Sequence, residues 1–265
     1  MVARSVTPLS PCLDIFLEEV QRSALLSEKL RRGDWYEFGL LAGRSTADTF
    51  RRLTQANLAP RRLFGFDSFV GLPSGDRRFV KGQFSSTAVV QNITGRRDVT
   101  AVEVAEHVRK QIEFSNTTLI PGFFSESLTS ELVKHHGMRP AVWVSIDVDL
   151  YTSAYQALDW LFGNRLMRPG TFVYYDDIYY YQLASGEDLA HHEISVKYNL
   201  TWRPRLTISR PEPAWNLPWD TTRFRFRHSQ DYYHSNAREW AFFARGRDGN
   251  VRKTTFYELE AIGEM

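Results

Sequence analysis

The sequence contains one cysteine, Cys12, among its 265 residues. A single cysteine excludes an intrachain disulfide and a zinc cluster of the cysteine type, and it is typical of a reducing compartment, so we expect a cytoplasmic protein. An excess of one charge is also lacking, because 33 Lys and Arg residues stand against 31 Asp and Glu residues, for a net charge of +2. This balance predicts no strong positive electrostatic potential that would attract nucleic acid. We therefore do not expect nucleic acid as a partner.

A long hydrophobic run is missing as well. Arg4 is the only basic residue among the first eight, and Asp14, Glu18 and Glu19 interrupt the apolar residues that follow. We therefore expect neither a signal peptide nor a membrane span, and no membrane partner. Because 43% of the residues are hydrophobic, the chain can bury a large core, and the simplest interpretation is one domain over residues 1–265.

Strand-like and helical segments alternate through the first two thirds of the chain. Runs of β-branched and aromatic residues predict five strands, at 35–38, 62–66, 117–120, 141–146 and 171–175. Alternation of this kind predicts a doubly wound α/β fold with a parallel sheet. Late strands at 239–245 and 254–259, paired with each other and antiparallel, would complete the sheet.

The remaining segments are predicted as additions to this sheet. Residues 1–33 read as a helical cap in which Ser10 begins one helix and Gly33 ends it. Further helices are expected at 126–136 and from about Ser185 to Leu200. The polar, glycine-punctuated segment 74–100 is typical of a lid or a substrate-binding loop.

The segment 202–231 is rich in proline, tryptophan and arginine, and its pattern assigns it to no element. Basic residues interleaved with aromatics can bind single-stranded nucleic acid, but the near-neutral charge argues against that function. An insertion that packs on the core, or on a second subunit of a homo-oligomer, explains the composition equally well.

Carboxylates accumulate where the predicted strands end. A carboxylate in a buried strand is costly unless it is paired or bound to a metal, so acids at neighbouring strand ends indicate a shared site. Ligands bind beyond the carboxyl ends of parallel strands, which is the edge where these residues are expected. The acids concerned are Glu37, Asp67, Asp147, Asp149, Asp176 and Asp177.

The first strand leads through Gly39 and Gly43 into a predicted helix. Glycines allow a ligand to approach the backbone, and a helix N-terminus favours a polar or anionic group, although this spacing is not a GxGxxG fingerprint. Asp67, at the end of the second strand, is placed to accept hydrogen bonds from ribose hydroxyls. The alternative is that Asp67 simply begins a turn.

Hard carboxylate oxygens favour Mg²⁺ or a similar ion such as Mn²⁺, and Asp147, Asp176 and Asp177 are the predicted ligands. A metal held there could lower the pKa of a substrate hydroxyl, and Asp149 is the predicted base, since strand side chains two residues apart face the same way. Helix capping or salt bridges are the alternative for these acids. The pair His191 and His192 offers a competing base, although a solvated helix face is the alternative for them.

Several motifs together resemble the macrocin O-methyltransferase family. The motifs are Tyr36-Glu37-Phe38-Gly39, Phe64-Gly-Phe-Asp67-Ser-Phe-Val-Gly71-Leu-Pro73, Pro121-Gly-Phe-Phe-Ser125, Ile146-Asp147-Val-Asp149-Leu-Tyr151 and Asp176-Asp177. The resemblance runs from about Trp35 to Leu200, with the motifs in the family's order. The family uses S-adenosyl-L-methionine, and many of its members methylate sugar hydroxyls of natural products.

The resemblance implies a class I methyltransferase fold, Rossmann-like, with a seven-stranded and mostly parallel sheet. It implies a magnesium site at Asp147, Asp176 and Asp177 with Asp149 as the catalytic base. The implied cofactor-binding residues are Glu37, Gly39, Ser45, Asp67, Ser68, Phe124 and Asp147.

The sequence therefore predicts a Mg²⁺-dependent, S-adenosylmethionine-dependent O-methyltransferase that acts on a hydroxyl of a small molecule, a sugar or a natural-product glycoside. Two alternatives remain open at this level. A metal-dependent hydrolase or phosphoesterase could use the same aspartates with an activated water. A noncatalytic binding module could keep the fold and use the segment 202–231 as its interface.

Overall fold

The computed structural model describes residues 9–74, 79–176, 186–211 and 250–263. Within these ranges the chain forms one sheet of seven strands in the order β3-β2-β1-β4-β5-β7-β6. The strands are β1 (Asp34–Phe38), β2 (Arg62–Asp67), β3 (Thr117–Pro121), β4 (Ala141–Ile146), β5 (Phe172–Tyr175), β6 (Leu200–Pro211) and β7 (Asn250–Ile262). Strands β1 to β5 are parallel, whereas β7 runs antiparallel to both β5 and β6. The predicted α/β class is confirmed.

Helices connect and flank these strands. They are α1 (Leu9–Arg22), α2 (Ala24–Arg32), α3 (Arg44–Gln55), α4 (Ser86–Thr94), α5 (Ala101–Gln111), α6 (Phe124–Ser127), α7 (Ser130–His136), α8 (Tyr151–Gly163) and α9 (Glu187–Lys197). None of the helices in the described part of the chain is long and apolar enough to cross a membrane.

Side-chain alternation divides the core between the two faces of the sheet. On one face Trp35 of β1 stacks on Trp143 of β4, with ring centroids 4.7 Å apart. On the other face Phe38 of β1 stacks on Phe66 of β2 at 4.6 Å. Adjacent strands are therefore joined by aromatic contacts as well as by the hydrogen-bond ladder.

Two predicted helices are each broken in two by a hydroxyl side chain. The predicted helix of the 1–33 cap ends at Arg22 because Ser23 starts α2, its Oγ accepting the N–H of Leu26 at 3.2 Å. The predicted 126–136 helix is likewise divided, since Thr129 accepts the N–H of Leu132 and starts α7. Both residues satisfy an amide that an uninterrupted helix would have bonded differently.

Four details of the predicted elements differ in the structure. The polar segment 74–100 contains a helix, α4, and the helix expected to reach Leu200 ends at Lys197, where β6 soon begins. Residues 202–211 of the predicted insertion are part of β6, paired along most of its length with β7. The predicted 254–259 strand is part of β7, but its partners are β5 and β6, while 239–245 lies outside the described residues.

The approach of β1 to β4 requires a glycine at position 39. Gly39 has φ +83°, and a Cβ added there would lie 1.7 Å from the carbonyl oxygen of Asp147. We expect Gly39→Ala to lower the free energy of unfolding by about 4 kcal/mol or more, because strain and overlap act together. Gly137→Ala is the matched control, since Gly137 also has a positive φ (+56°) but has no atom within 4 Å of its added Cβ. The control should lose about 1 kcal/mol. Equal shifts of the urea midpoint in the two variants would contradict this account.

Candidate active site

A cavity of about 500 Å³ lies at the carboxyl edge of the parallel strands. Backbone pairing aligns Phe66, Phe38, Ile146 and Tyr175 in one row across β2, β1, β4 and β5. The residue that follows each of these along the chain lines the cavity, and these residues are Asp67, Gly39, Asp147 and Asp176. The cavity is thus centred where the strand order reverses between β1 and β4, which is the usual ligand position in doubly wound sheets.

Asp67 joins the loops that follow β1 and β2. Its Oδ2 accepts the N–H groups of Leu40 at 2.8 Å and Leu41 at 2.9 Å, and its Oδ1 accepts the N–H of Phe69 at 2.7 Å. Burial raises the pKa of Asp67, and the three amides oppose that rise. The bond to Phe69 matches the turn-starting alternative, whereas the position of Asp67 on the cavity wall matches the ligand-binding prediction.

Two predicted cofactor contacts lie away from the cavity wall. Glu37 is buried under the edge of the sheet, where Oε1 accepts the hydroxyl of Thr46 at 2.6 Å, and burial raises its pKa to about 7. Ser45 is exposed near the start of α3. Neither residue belongs to the cavity lining, which does include the predicted contacts Gly39, Ser68 and Phe124.

The three described aspartates of the predicted catalytic group line the same cavity: Asp147, Asp149 and Asp176. The reason given for Asp149 is wrong, because β4 ends at Ile146 and strand alternation does not extend to residue 149. Asp149 instead has φ +60°, in a turn that leads into α8. The two acids therefore reach one cavity wall through a turn rather than through the period of a strand.

Asp176 is partly buried, and burial raises its pKa. The hydroxyl of Tyr174 donates a hydrogen bond to its Oδ1 and opposes that rise. Asp177, the third predicted metal ligand, lies outside the described residues. Within the described ranges, no three His, Cys, Asp or Glu side chains are grouped closely enough to hold a metal ion.

The histidine pair lies away from the cavity. His191 is buried in the core, where its Nδ1 is 2.8 Å from the hydroxyl of Tyr175 and its ring stacks on Tyr257 at 4.6 Å. Burial lowers the pKa of His191 to about 3. Neither His191 nor His192 is part of the cavity lining, so the competing base lacks a position beside Asp149.

Sequence reasoning missed the wall of the cavity that α8 provides. The first turns of this helix place Thr152, Ser153 and Gln156 in the lining. A helix that begins directly after the acids could have indicated these positions, because residues three or four apart lie on the same helix face. Phe84, from the polar segment 74–100, and Phe123, from the Pro121-Gly-Phe-Phe-Ser125 motif, also line the cavity.

The strand order, the antiparallel β7 and the cavity at the β1/β4 switch point together define the class I methyltransferase fold. The model of the macrocin O-methyltransferase family, described as Macrocin-O-methyltransferase (TylF), matches residues 17–195. This chain belongs to that family. It is therefore an S-adenosylmethionine-dependent O-methyltransferase, and the family assignment favours that activity over the hydrolase and the noncatalytic module.

Solved structures with a similar fold include methyltransferases. The O-methyltransferase NovP is 20% identical over 70% of this chain and 72% of its own, with a TM-score of 0.45. CalS11, a calicheamicin methyltransferase, is 17% identical over 72% of each chain, with a TM-score of 0.47. The Podospora anserina methyltransferase PaMTH1 is 9% identical over 74% of this chain and 84% of its own, with a TM-score of 0.38. No curated protein matches the chain.

The raised pKa of Glu37 predicts a pH-dependent stability. Between pH 4.5, the ordinary pKa of a Glu side chain, and about pH 7, Glu37 is ionised in the unfolded chain but protonated in the folded chain. The stabilisation is complete below 4.5 and is lost as the pH rises through about 7, for a change of at most about 3 kcal/mol. Glu37→Gln keeps an oxygen for Thr46 and cannot ionise, so it should remove this part of the pH dependence. Urea unfolding of the cofactor-free protein at about pH 5 and pH 8 measures it; parallel pH trends in both proteins would contradict the prediction.

Proposed function

We propose that this methyltransferase transfers a methyl group to a hydroxyl of a small-molecule acceptor, with Asp149 as the base and a divalent ion bound beside it. The observation that supports the proposal best is that Asp147, Asp149 and Asp176 line one cavity together with Asp67. Acids from the ends of β2, β4 and β5 thus share a single space large enough for a small ligand.

Asp67, Gly39, Ser68 and Phe124 form the cofactor side of the cavity in this proposal. Asp67 keeps acceptor capacity for ribose hydroxyls, since each carboxylate oxygen has more than one lone pair and three are used by backbone amides. Gly39 exposes backbone to the cavity without a side chain in the way. Phe124 offers an aromatic face beside Phe38, with ring centroids 5.6 Å apart.

In this proposal the aspartates of the cavity bind a divalent ion. Asp147 and Asp176 would hold Mg²⁺ or Mn²⁺ through hard carboxylate oxygens, with Asp177 as the third ligand that the family resemblance implies. Burial raises the pKa of Asp176, and positive charge beside it would offset that cost. When bound, S-adenosylmethionine supplies a methyl group on a sulfonium, and the ion would lower the pKa of the acceptor hydroxyl.

Asp149 accepts the proton of the acceptor hydroxyl at a carboxylate oxygen. It lies on the same wall as Thr152, Ser153 and Gln156, which are placed to bind other polar groups of the acceptor. Holding the hydroxyl against its base and in line with the methyl group contributes to the rate, because it removes the need for a rare encounter. The family's description names macrocin, and one CalS11 structure is described as a TDP-rhamnose 3'-O-methyltransferase, so both are suitable trial acceptors.

Asp149→Asn should lower turnover by about 10²-fold to 10⁴-fold, because the amide cannot accept the proton. S-adenosylhomocysteine binding, measured by calorimetry, should stay within about threefold of wild type, since Asp149 is not assigned to the cofactor side. Turnover is followed as S-adenosylhomocysteine released with macrocin or TDP-rhamnose. Turnover that survives in Asp149→Asn would remove Asp149 from the role of base.

Removal of divalent ions tests the metal separately. Treatment with EDTA should abolish most turnover, and added Mg²⁺ or Mn²⁺ should restore it, because the acceptor hydroxyl would otherwise keep its ordinary, high pKa. Asp176→Asn should raise the Mg²⁺ concentration needed for half-maximal activity. Full activity in EDTA would contradict the proposed metal site but would leave the assignment of Asp149 as the base intact.

A further inference from the structure

The turn that carries the two central aspartates is conformationally strained. Asp149 has φ +60°, a left-handed conformation that is uncommon outside glycine, although Asp adopts it more often than most other residues. The N–H of Leu150 donates to the carbonyl oxygen of Val148 at 2.5 Å, which makes the turn tight. Such a conformation persists only where surrounding groups hold it in place.

Strand β1 holds the first residue of this turn. The N–H of Asp147 donates to the carbonyl oxygen of Phe38 at 2.9 Å and extends the parallel ladder by one bond. Gly39 packs against the carbonyl of Asp147 so closely that no side chain fits between them. These contacts fix Asp147, but they do not reach Asp149.

The next amide, that of Val148, donates to a side chain from a distant element. Its acceptor is Oε1 of Glu187, at 3.2 Å, and Glu187 is fully buried. Glu187 is the first residue of α9, where the helix N-terminus favours negative charge and offsets part of the cost of burial. Glu187 is not among the residues that line the cavity.

We propose that Glu187 is a positioning residue for the reaction, and that it fixes the Asp147–Asp149 turn through the N–H of Val148. The role in catalysis rests on the proposed function of the two aspartates. Val148 is itself buried, so water cannot readily replace the lost acceptor. Without Glu187 the turn relaxes toward an unstrained backbone, and Asp149 moves away from the acceptor hydroxyl.

Two substitutions of nearly equal length separate the hydrogen bond from the packing. Glu187→Gln keeps an oxygen that can accept from Val148, whereas Glu187→Met fills a similar volume without a strong acceptor. We expect Glu187→Met to lower kcat by about 10-fold to 100-fold, the scale of a small misplacement in an active site. Glu187→Gln should stay within about threefold of wild type, and both variants should bind S-adenosylhomocysteine with unchanged affinity.

Amide hydrogen exchange at Val148, followed by NMR, gives a readout that does not depend on turnover. Exchange should be about tenfold or more faster in Glu187→Met and near wild type in Glu187→Gln. Faster exchange with unchanged kcat would overturn the positioning role, and so would equal losses of kcat in both variants. If Glu187→Met does not fold, hydrogen exchange in the wild-type protein still tests the proposal. A Val148 amide that exchanges as fast as that of the exposed loop residue Arg97 would mean that the bond to Glu187 is absent.

Failure of the proposed function gives a different pattern. Turnover that survives in Asp149→Asn removes the base, yet Val148 exchange still shows whether Glu187 holds the turn. Suppose instead that the Val148 amide is protected in the wild-type protein and that Glu187→Met keeps the wild-type kcat. This result rejects only the positioning role and leaves the assignment of Asp149 as the base intact.

Discussion

The site depends on how closely β1 and β4 approach at their carboxyl ends. The two strands are neighbours in the sheet but are separated by β2, β3 and their helices in the chain, so their ends diverge and leave a crevice above them. Gly39 lets the backbone after β1 lie against the carbonyl of Asp147. That contact lies at the base of the cavity, because Gly39 and Asp147 both line it.

The carboxylates at this edge of the sheet and just beneath it each have a different hydrogen-bond donor. Asp67 is held by three backbone amides, Glu37 by the hydroxyl of Thr46 and Asp176 by the hydroxyl of Tyr174. Burial nevertheless raises the pKa of all three.

Much of the fold was predictable because the parallel strands are buried on both faces and read as apolar runs. The ends of β4 and β5 were predictable too, since a pair of acids stops each run. What could not be read depends on distant partners. The edge strand β6 has a mixed composition and is defined by its ladder with β7, and Ser23 and Thr129 divide helices through single side-chain bonds that apolar periodicity does not detect. Glu37 sits at a strand end as expected, but the side chain turns to Thr46 beneath the edge.

Asp149 lines the same cavity as Asp147, but not because of strand alternation. Alternation along a strand would place residues 147 and 149 on one face, yet the strand stops at Ile146 and a left-handed turn brings both to the cavity. A strand would have fixed Asp149 through its own ladder of hydrogen bonds, whereas a turn needs help from elsewhere. The buried carboxylate of Glu187, 38 residues beyond Asp149, accepts a hydrogen bond from the N–H of Val148 within this turn. No local pattern links the two segments, because the link is a bond between a side chain and the backbone that exists only in the folded chain, where α9 packs against α8.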